Sequence, residues 1–330
     1  MRRRDFMAGL GSTAAWSRVA WSQQLTMPVI GFLDTGRPGA TAHLQPLDDA
    51  FRAGLSEEGY FEGANVEITY RYAENQDDRL PELAAELVRR GVAVIFATGK
   101  PASVLAAKAA TKTIPIVFVT DADPVELGLV ESLSHPGGNA TGVTFLTAEL
   151  NAKRLELLHD AVPKADVIGW LRNPSLGEAK IREVEVTART LGARLMIANA
   201  GTPNEIEPAS AQLVRQGVGA LLVGSDVLAD AWVDAWKDQL LGLTARRDLP
   251  AIYPLRRFAE VGGLMSYEAN LSDAFHVAAI FSARLLKGWK PVDLPVQQSR
   301  FQLVVNRNTA KWLGIDLPAS ILSRADDIID

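Results

Sequence analysis

Val29-Ile30-Gly31-Phe32-Leu33, near the start of the chain, returns as Val167-Ile168-Gly169-Trp170-Leu171 in its second half. A short apolar run of this kind is typical of a strand buried in a parallel sheet. Repeats in the same order along the chain predict two similar α/β lobes, and two lobes leave a cleft in which a ligand can bind. The other two matches are Arg89-Arg90-Gly91-Val92 with Arg215-Gln216-Gly217-Val218, and Ile114-Pro115-Ile116-Val117-Phe118 with Leu249-Pro250-Ala251-Ile252-Tyr253.

Apolar runs alternate with helical periods through both halves, which is the pattern of a parallel sheet with crossover helices. The predicted fold class is α/β, with two doubly wound parallel-sheet lobes joined by three hinge crossings. Glycine-rich breaks at 136–142 and 262–263 interrupt the pattern, and the helical stretch 271–287 is predicted to return to lobe one. The predicted lobes are 28–143 plus 264–295 for lobe one, and 144–263 plus 296–330 for lobe two.

Composition sets limits on the class of protein. The chain has 330 residues, of which 48% are hydrophobic and 22% charged, enough for two cores of ordinary size. Its apolar stretches are shorter than the roughly 20 residues that cross a bilayer, so no stable membrane insertion is expected. Without residues 1–22 it carries 30 basic and 38 acidic residues, and a net charge of −8 does not favour binding to nucleic acid.

Residues 1–22 are predicted to be an export signal. Arg3-Arg4, followed by Asp5-Phe6-Met7, resembles a twin-arginine signal, and a Gly/Ala-rich segment from Ala8 to Trp16 comes next. The alternative is a basic N-terminus on a cytosolic protein, which Arg18 favours. Export predicts a periplasmic location. The absence of cysteine excludes a disulfide framework, thiolate metal sites and a lipidated cysteine anchor.

Six motifs along the chain form a specific set, although each is weak alone. They are MPVIGFL (27–33), TIPIVF (113–118), PGGNATG (136–142), KRLELL (153–158), GGLMSY (262–267) and TAKWLG (309–314). With the export signal, this set resembles the ABC-transporter substrate-binding proteins of the tryptophan-binding-like group, which have the type I periplasmic-binding-protein fold. The resemblance implies capture of a small solute between the lobes and its delivery to a membrane permease. It does not fix the solute.

Ligands of open parallel sheets lie beyond the carboxyl ends of the strands, where the strand order reverses. Each lobe has such an edge, so the repeat selects candidate ligand-binding residues twice. They are Asp34, Thr35, Thr98, Gly99, Ala102, Ser103, Asp121 and Asp123 in lobe one, and Asn173, Ser225, Asp226 and Tyr253 in lobe two.

The segment from Thr98 to Ser103 is the predicted carboxylate subsite, because it ends an apolar strand and begins an Ala-rich helix. Pro101 suits the first turn, where its missing N–H does no harm. Free backbone N–H groups at the helix start, with the Thr98 and Ser103 hydroxyls, would bind an anion. The alternative is an ordinary capped turn, for Ser103 in particular.

Asp226 is the predicted acceptor for a ligand ammonium group, and the alternative is that it caps the helix beginning near Leu228. Asp121 and Asp123 compete for the same role from lobe one.

Phe145 and Tyr253 would form apolar walls for a ring-bearing solute, although aromatic residues at such positions also form core. Asn173 can both donate and accept hydrogen bonds, and its alternative role is a turn.

No catalytic residue, metal site or cofactor is predicted. The histidines lie far apart without ligand spacing, and the sequence has neither a Gly-x-Ser-x-Gly elbow nor a Walker loop.

The predicted function is a monomeric receptor that closes over an amino acid or related small carboxylate, with aromatic side chains favoured by the resemblance. Two rivals are a two-lobed enzyme of racemase or lyase type acting on a small carboxylate, and a sugar-responsive transcription regulator, which would need a helix-turn-helix segment before Met27.

Overall fold

The structure is a computed structural model, and it describes residues 27–37, 45–145, 150–174, 178–224 and 233–330. The predicted export signal lies outside the described residues, as do two candidate ligand-binding residues, Ser225 and Asp226. None of the helices within the described ranges is both long and apolar enough to cross a membrane.

Lobe one is built on a six-stranded parallel sheet. Its strands are β1 (Val29–Asp34), β2 (Glu67–Tyr72), β3 (Val94–Thr98), β4 (Ile116–Thr120), β5 (Ala140–Thr144) and β11 (Gln297–Gln298), in the order β11-β5-β4-β3-β1-β2. The chain adds β2 on one side of β1 and then β3 on the other side. The topological switch point therefore lies between β1 and β3.

Helices cover both faces of the first sheet, as a doubly wound fold requires. They are α1 (Gln45–Glu57), α2 (Leu80–Arg90), α3 (Pro101–Ala110) and α9 (Leu271–Leu286). Phe51 of α1 and Ala278 of α9 belong to the core on one face, whereas Leu87 of α2 and Val104 of α3 belong to the core on the other. The predicted return of the 271–287 helix to lobe one is thereby confirmed.

Lobe two is built on a seven-stranded sheet. Its strands are β6 (Val167–Arg172), β7 (Arg194–Asn199), β8 (Ala220–Val223), β9 (Ala251–Tyr253), β10 (Met265–Ala269), β12 (Phe301–Asn306) and β13 (Asp327–Ile329), in the order β13-β12-β10-β9-β8-β6-β7. The strands β6 to β10 run parallel, and β12 runs antiparallel to β10. Five strands thus repeat the order of lobe one.

The second sheet is also covered on both faces. The helices are α4 (Leu150–Ala161), α5 (Glu178–Thr190), α6 (Pro203–Arg215), α7 (Val233–Arg246), α8 (Arg256–Glu260), α10 (Arg307–Trp312) and α11 (Ala319–Leu322). The core under α4, α5, α10 and α11 includes Leu158 and Trp170, and the core under α6, α7 and α8 includes Leu213 and Phe258.

The glycines of the repeated sequence have the same role in both lobes. A Cβ added to Gly31 in β1 would lie 3.0 Å from the side chain of Leu87, and one added to Gly169 in β6 would lie 3.1 Å from Leu213. Both glycines therefore let a helix pack closely on the first strand of the lobe. The prediction of two similar α/β lobes is confirmed.

The chain passes between the two sheets three times, after β5, after β10, and between β11 and β12. Three crossings were expected, but two of the lobe boundaries were wrong. Because β10 pairs within the second sheet, the return to lobe one begins near Asn270 and not at 264. Because β11 pairs with β5, the last crossing lies near Ser299 and not at 296.

The glycine-rich segment 136–142, where the sequence predicts a break, leads directly into β5. A Cβ at Gly142 would lie 2.1 Å from the carbonyl oxygen of Phe118 on β4. Only glycine at this position therefore allows β4 and β5 to lie so close together.

Candidate functional site

The crossings meet the sheets at the carboxyl ends of parallel strands. The first crossing follows Thr144 at the end of β5, the second follows Ala269 at the end of β10, and the third follows Gln298 at the end of β11. The carboxyl edges of both sheets therefore face one another across the hinge. This edge is where ligands of open parallel sheets bind, so the space between the two edges is the candidate site.

Ser299 joins the three crossings by hydrogen bonds. Its N–H donates to the carbonyl oxygen of Thr144 at 2.8 Å. Its hydroxyl lies 3.0 Å from the carbonyl oxygen of Asn270 and 3.1 Å from that of Arg300, and it can donate to either. The N–H of Asn270 donates in turn to the carbonyl oxygen of Arg300 at 2.8 Å. Ser299 is 4% exposed, so these bonds are shielded from competing water.

A row of buried threonines lies at the carboxyl edge of sheet one. We define the threonine row as Thr35, Thr98, Thr120 and Thr144. The Thr35 hydroxyl accepts a hydrogen bond from the N–H of Lys100 at 3.1 Å, and the Thr120 hydroxyl accepts one from the N–H of Ala122 at 3.3 Å. The Thr144 hydroxyl donates to the carbonyl oxygen of Ala122 at 3.2 Å. A hydroxyl that only accepts from the backbone keeps its own hydrogen to donate, which is the case for Thr35 and Thr120.

The ends of β1 and β3 touch at Thr35 and Gly99. Gly99 has a φ of +89°, and a Cβ there would lie 2.3 Å from the Thr35 hydroxyl oxygen. Only glycine suits both requirements. The contact brings the first turn of α3 to the switch point, with Lys100 at its N-cap and Ala102 half-buried beside it. Backbone N–H groups at a helix start suit a carboxylate.

Ser103 is not available to a ligand. Its side chain is completely buried, and its hydroxyl donates within the turn, 2.7 Å from the carbonyl oxygen of Thr98 and 2.9 Å from that of Lys100. The prediction that this hydroxyl binds a ligand carboxylate is therefore wrong. A serine at this position stabilises the start of α3, which is the alternative that the sequence left open.

Asp34 is a half-buried acid at the switch point. It ends β1 next to Thr98 of β3 on one side and Tyr72 of β2 on the other. One carboxylate oxygen accepts a hydrogen bond from the N–H of Gly36. Burial raises the pKa of the Asp34 carboxyl, and the charge of Asp48 adds to the effect.

Asp121 and Asp123 follow β4 and differ in their contacts. One Asp123 carboxylate oxygen accepts from the N–H of Val125 at 2.7 Å and from that of Glu126 at 3.3 Å, so this side chain caps the following turn. Asp121 is exposed at the edge, and partial loss of hydration raises the pKa of its carboxyl. Within the described residues, no group of three acidic or histidine side chains could hold a metal ion.

Tyr253 belongs to the core of lobe two. Its side chain is fully buried, its ring stacks on Phe258 with centroids 4.8 Å apart, and its hydroxyl lies 2.9 Å from that of Thr244. The prediction that Tyr253 walls the ligand is therefore wrong. The side chain points into the sheet face that α6, α7 and α8 cover, where its hydroxyl already has a partner.

Asn173 remains a candidate at the edge of sheet two. It is half-buried directly after β6, and its carbonyl oxygen accepts a hydrogen bond from the Arg172 guanidinium at 3.4 Å. The Arg172 guanidinium also lies 6.0 Å from the ring centroid of Trp170.

Arg154 of α4 is a functional-site neighbour that the sequence analysis missed. It is 1% exposed, its Nε donates to the carbonyl oxygen of Tyr267 at 2.7 Å, and its Nη1 donates to Asn151 Oδ1 at 3.0 Å. The first bond joins α4 to the middle of β10, and the second lies within α4. The signal was present, because Arg154 lies four residues after Leu150 and four before Leu158 on the buried stripe of the helix.

Glu268 is a second residue that sequence reasoning missed. It is the last residue but one of β10, opposite Gln302 of β12. Burial raises the pKa of Glu268 to about 7, and it outweighs the opposing effects of the Arg256 backbone N–H and of three nearby arginines. The break at Gly262-Gly263 hides the strand that carries this residue.

Aromatic side chains lie beside the crossings. Phe145 in the first crossing is half-buried against the core of lobe one, and its N–H donates to the carbonyl oxygen of Thr120 at 2.9 Å. Tyr267 and Phe301, on the strands next to the other crossings, form a tilted pair with centroids 5.8 Å apart.

Comparison with known proteins identifies the family. The family model described as "ABC transporter substrate binding protein" matches residues 43–329. This chain belongs to that family. The family is one of binding proteins, and the match extends over both lobes and all three crossings. A curated relative, the tyrosine-binding protein of Clostridioides difficile (strain R20291), is 28% identical over 276 residues, which is 82% of this chain and 77% of the relative.

Solved structures agree with the fold. A ligand-free, open structure of a substrate-binding protein with adhesive properties from Clostridium difficile is 25% identical, with a TM-score of 0.71 over 92% of this chain and 99% of that chain. An ABC domain from Streptococcus pneumonia in complex with L-Trp has the same identity, TM-score and coverage. A periplasmic-binding ribose operon repressor from Lactobacillus acidophilus, 12% identical with a TM-score of 0.56 over 83% of this chain and 96% of that chain, shares the fold. The predicted type I periplasmic-binding-protein fold is confirmed.

Proposed function

We propose that this substrate-binding protein is the extracytoplasmic receptor of an ABC importer and captures an amino acid with an aromatic side chain between its lobes. The observation that carries the proposal is that two parallel sheets present their carboxyl edges to each other across three crossings. A ligand bound by both edges favours the closed arrangement of the lobes, and a membrane permease then recognises that arrangement.

The carboxylate of the ligand is held by lobe one in this proposal. Thr35 keeps a hydroxyl hydrogen to donate, Thr98 lies next to it, and the first turn of α3 supplies backbone N–H groups beside Gly99. The lysine at position 100 adds a positive charge at the same helix start. Hydrogen bonds to a charged carboxylate are stronger than those between neutral groups, so this edge would distinguish a carboxylate from an uncharged solute.

The nature of the side chain rests on the relatives and on the crossings. One relative carries the name tyrosine-binding protein, and one similar structure contains L-Trp. Phe145 and the pair Tyr267 and Phe301 provide aromatic surface next to the hinge, where a ring can stack. Asn173 from lobe two can donate to or accept from a polar group on that ring.

The location and partners follow from the same proposal. Residues 1–22 would direct export through a twin-arginine pathway, and the mature protein would act in the periplasm as a monomer without a cofactor or stable membrane insertion. Its partners would be the solute and the permease, not nucleic acid. N-terminal sequencing of the protein recovered from a periplasmic extract tests cleavage near residue 22.

Thermal unfolding of the mature protein with each of the common L-amino acids tests the ligand class. A ligand at about 100 times its Kd stabilises the folded state by about 2.7 kcal/mol, which raises the melting temperature by a few degrees. We expect a saturable rise with L-tyrosine or L-tryptophan, and calorimetric titration to give one site per chain. A melting temperature that no amino acid raises would contradict the proposal.

A further inference from the structure

We infer that Glu268 accepts the ammonium group of the bound amino acid, so that lobe one holds the carboxylate and lobe two the amine of the same ligand. The inference rests on the proposed function and adds to its site a residue of lobe two. Glu268 takes the role that the sequence analysis gave to Asp226, which lies outside the described residues.

The strand places Glu268 at the hinge edge of lobe two. Because β10 runs parallel to β9, its last residues lie at the same carboxyl edge as the ends of the other parallel strands. Asn270, two residues further on, already forms part of the crossing that Ser299 bonds. Ser266, on the same face of β10, is completely buried, whereas Glu268 keeps part of its surface exposed. This face of the strand therefore leads from the core to the cleft.

Three arginines lie near Glu268, and two of them bond other groups. Arg256 of α8 bonds Glu260 at 2.7 Å and also pairs with Asp327, and Arg154 of α4 bonds the carbonyl oxygen of Tyr267. Arg257 of α8 is the third arginine whose charge acts on Glu268. The strands on either side contribute the neutral residue Gln302, opposite Glu268 on β12, and Tyr253 on β9, whose hydroxyl is paired with Thr244.

The carboxylate has capacity left for a ligand. Glu268 takes part in none of the salt bridges that the described residues form with one another. An ionised carboxylate offers roughly four acceptor positions for hydrogen bonds. Burial outweighs the three arginines, since the pKa of Glu268 rises to about 7. An ammonium group bound in a cleft shielded from water would form a direct, charge-assisted hydrogen bond with the Glu268 carboxylate.

A pH dependence follows from this arrangement. The carboxylate must be ionised to accept the ammonium group, and at pH 6 only about a tenth of a group with a pKa near 7 is ionised. We expect the affinity for the amino acid to be about tenfold lower at pH 6 than at pH 8. The bound ammonium lowers the pKa of Glu268, so binding at pH 6 releases a proton.

Paired ligands test the inference directly. Each amino acid is compared with the analogue that lacks its amine: L-tyrosine with 3-(4-hydroxyphenyl)propionate, and L-tryptophan with indole-3-propionate. Glu268→Gln should lower the affinity for the amino acid at pH 8 at least tenfold and leave the affinity for the amine-free analogue unchanged. The control is Glu260→Gln, an exposed acid of α8 that also contacts Arg256 and should change neither affinity.

Calorimetry at pH 6 in two buffers of different ionisation enthalpy measures the protons released on binding. This number would not depend on Glu268 if the residue had only a structural role. The wild type should release a proton on binding, and Glu268→Gln should not. If Glu268 has only a structural role, the Glu268→Gln variant will melt at a different temperature but will keep the wild-type ratio of the affinities for the amino acid and for its amine-free analogue. That result overturns the inference. Loss of that ratio in Asp34→Asn or Asp121→Asn, with Glu268→Gln unaffected, would also overturn it by assigning the ammonium to lobe one.

The outcomes separate this inference from the proposed function. If the protein binds amino acids but Glu268→Gln keeps the wild-type ratio of the affinities for the amino acid and for its amine-free analogue, the inference alone is contradicted. A folded wild-type protein that binds none of the amino acids contradicts both.

Discussion

At the carboxyl edge of sheet one, four strands end at or next to a member of the threonine row. At the same edge of sheet two, three of the five parallel strands end in Arg172, Asn199 and Glu268-Ala269. The strand order and the direction of the edge are the same in both lobes. The chemistry is different, because the first edge offers hydroxyl and backbone donors and the second offers charged and amide groups. In our proposal, the repeated pattern of strands determines where a ligand binds, and the residues at and just beyond the strand ends determine which end of the ligand each lobe takes.

The largest expected effect comes from breaking the lobe-one edge at Gly99. An alanine there would place its Cβ 2.3 Å from the Thr35 hydroxyl oxygen, so the ends of β1 and β3 must separate. We expect Gly99→Ala to weaken amino-acid binding about a hundredfold, or about 2.7 kcal/mol, measured by calorimetry. The matched control is Gly128→Ala, where φ is also positive, +66°, but no atom lies within 4 Å. Equal affinities of the two variants would show that the junction of β1 and β3 does not form the site.

A smaller loss is expected from the hydroxyl donors of the same edge. Thr98→Val should weaken binding about tenfold, or about 1.4 kcal/mol, because a methyl group replaces the hydroxyl next to the switch point. Ser103→Ala should lower the melting temperature without changing affinity, because the Ser103 hydroxyl is buried and bonded within the turn. A Ser103→Ala variant that binds as weakly as Thr98→Val would restore Ser103 to the ligand site.

The hinge that joins the two edges should have a weaker influence. Ser299→Ala removes the hydroxyl that bonds the second and third crossings, and Ser282→Ala removes a buried hydroxyl that bonds only within α9. Each change should lower the free energy of unfolding by about 1 kcal/mol. Only Ser299→Ala should weaken ligand binding, by about threefold, because a looser hinge must lose more conformational freedom when the lobes close. The same affinity in both variants would leave Ser299 with a purely structural role.

The smallest effect on binding is expected at Tyr253, which lies under the lobe-two edge and not on it. Tyr253→Phe removes the hydrogen bond to Thr244 and should lower the free energy of unfolding by about 1 kcal/mol, measured by chemical denaturation. The affinity should not change. A clear loss of affinity would return Tyr253 to the ligand-binding residues.

Much of the fold could be predicted from the sequence, because alternating apolar runs and helical periods specify a doubly wound sheet. The repeat of Gly31 at Gly169 also marked the first strand of each lobe. The strands at 140–144 and 265–269 were not predicted, since each follows a glycine-rich segment that is typical of a break. Glycine is required at position 142 because β4 lies so close to it. The sequence alone does not show which strand lies beside this position.

The candidate site was predictable to the level of strand ends and not of side chains. The rule that ligands lie beyond parallel strands selected Thr98 and Gly99, which the structure brings beside Thr35. The direction of a side chain one or more residues past a strand depends on the following turn, so Ser103 was misassigned. Glu268 escaped the prediction because its strand did, and only tertiary packing shows that its carboxyl is withdrawn from water.

The most direct test is the distance between the two edges with and without a ligand. The chain has no cysteine, so Glu126→Cys in the loop after β4 and Asn204→Cys in the first turn of α6, both exposed, allow two fluorophores to be attached for energy transfer. The two labels should approach when L-tyrosine or L-tryptophan is added, with half-saturation at the Kd that calorimetry gives. Calorimetric binding of the amino acid with no change in transfer efficiency would contradict capture by closure of the two lobes.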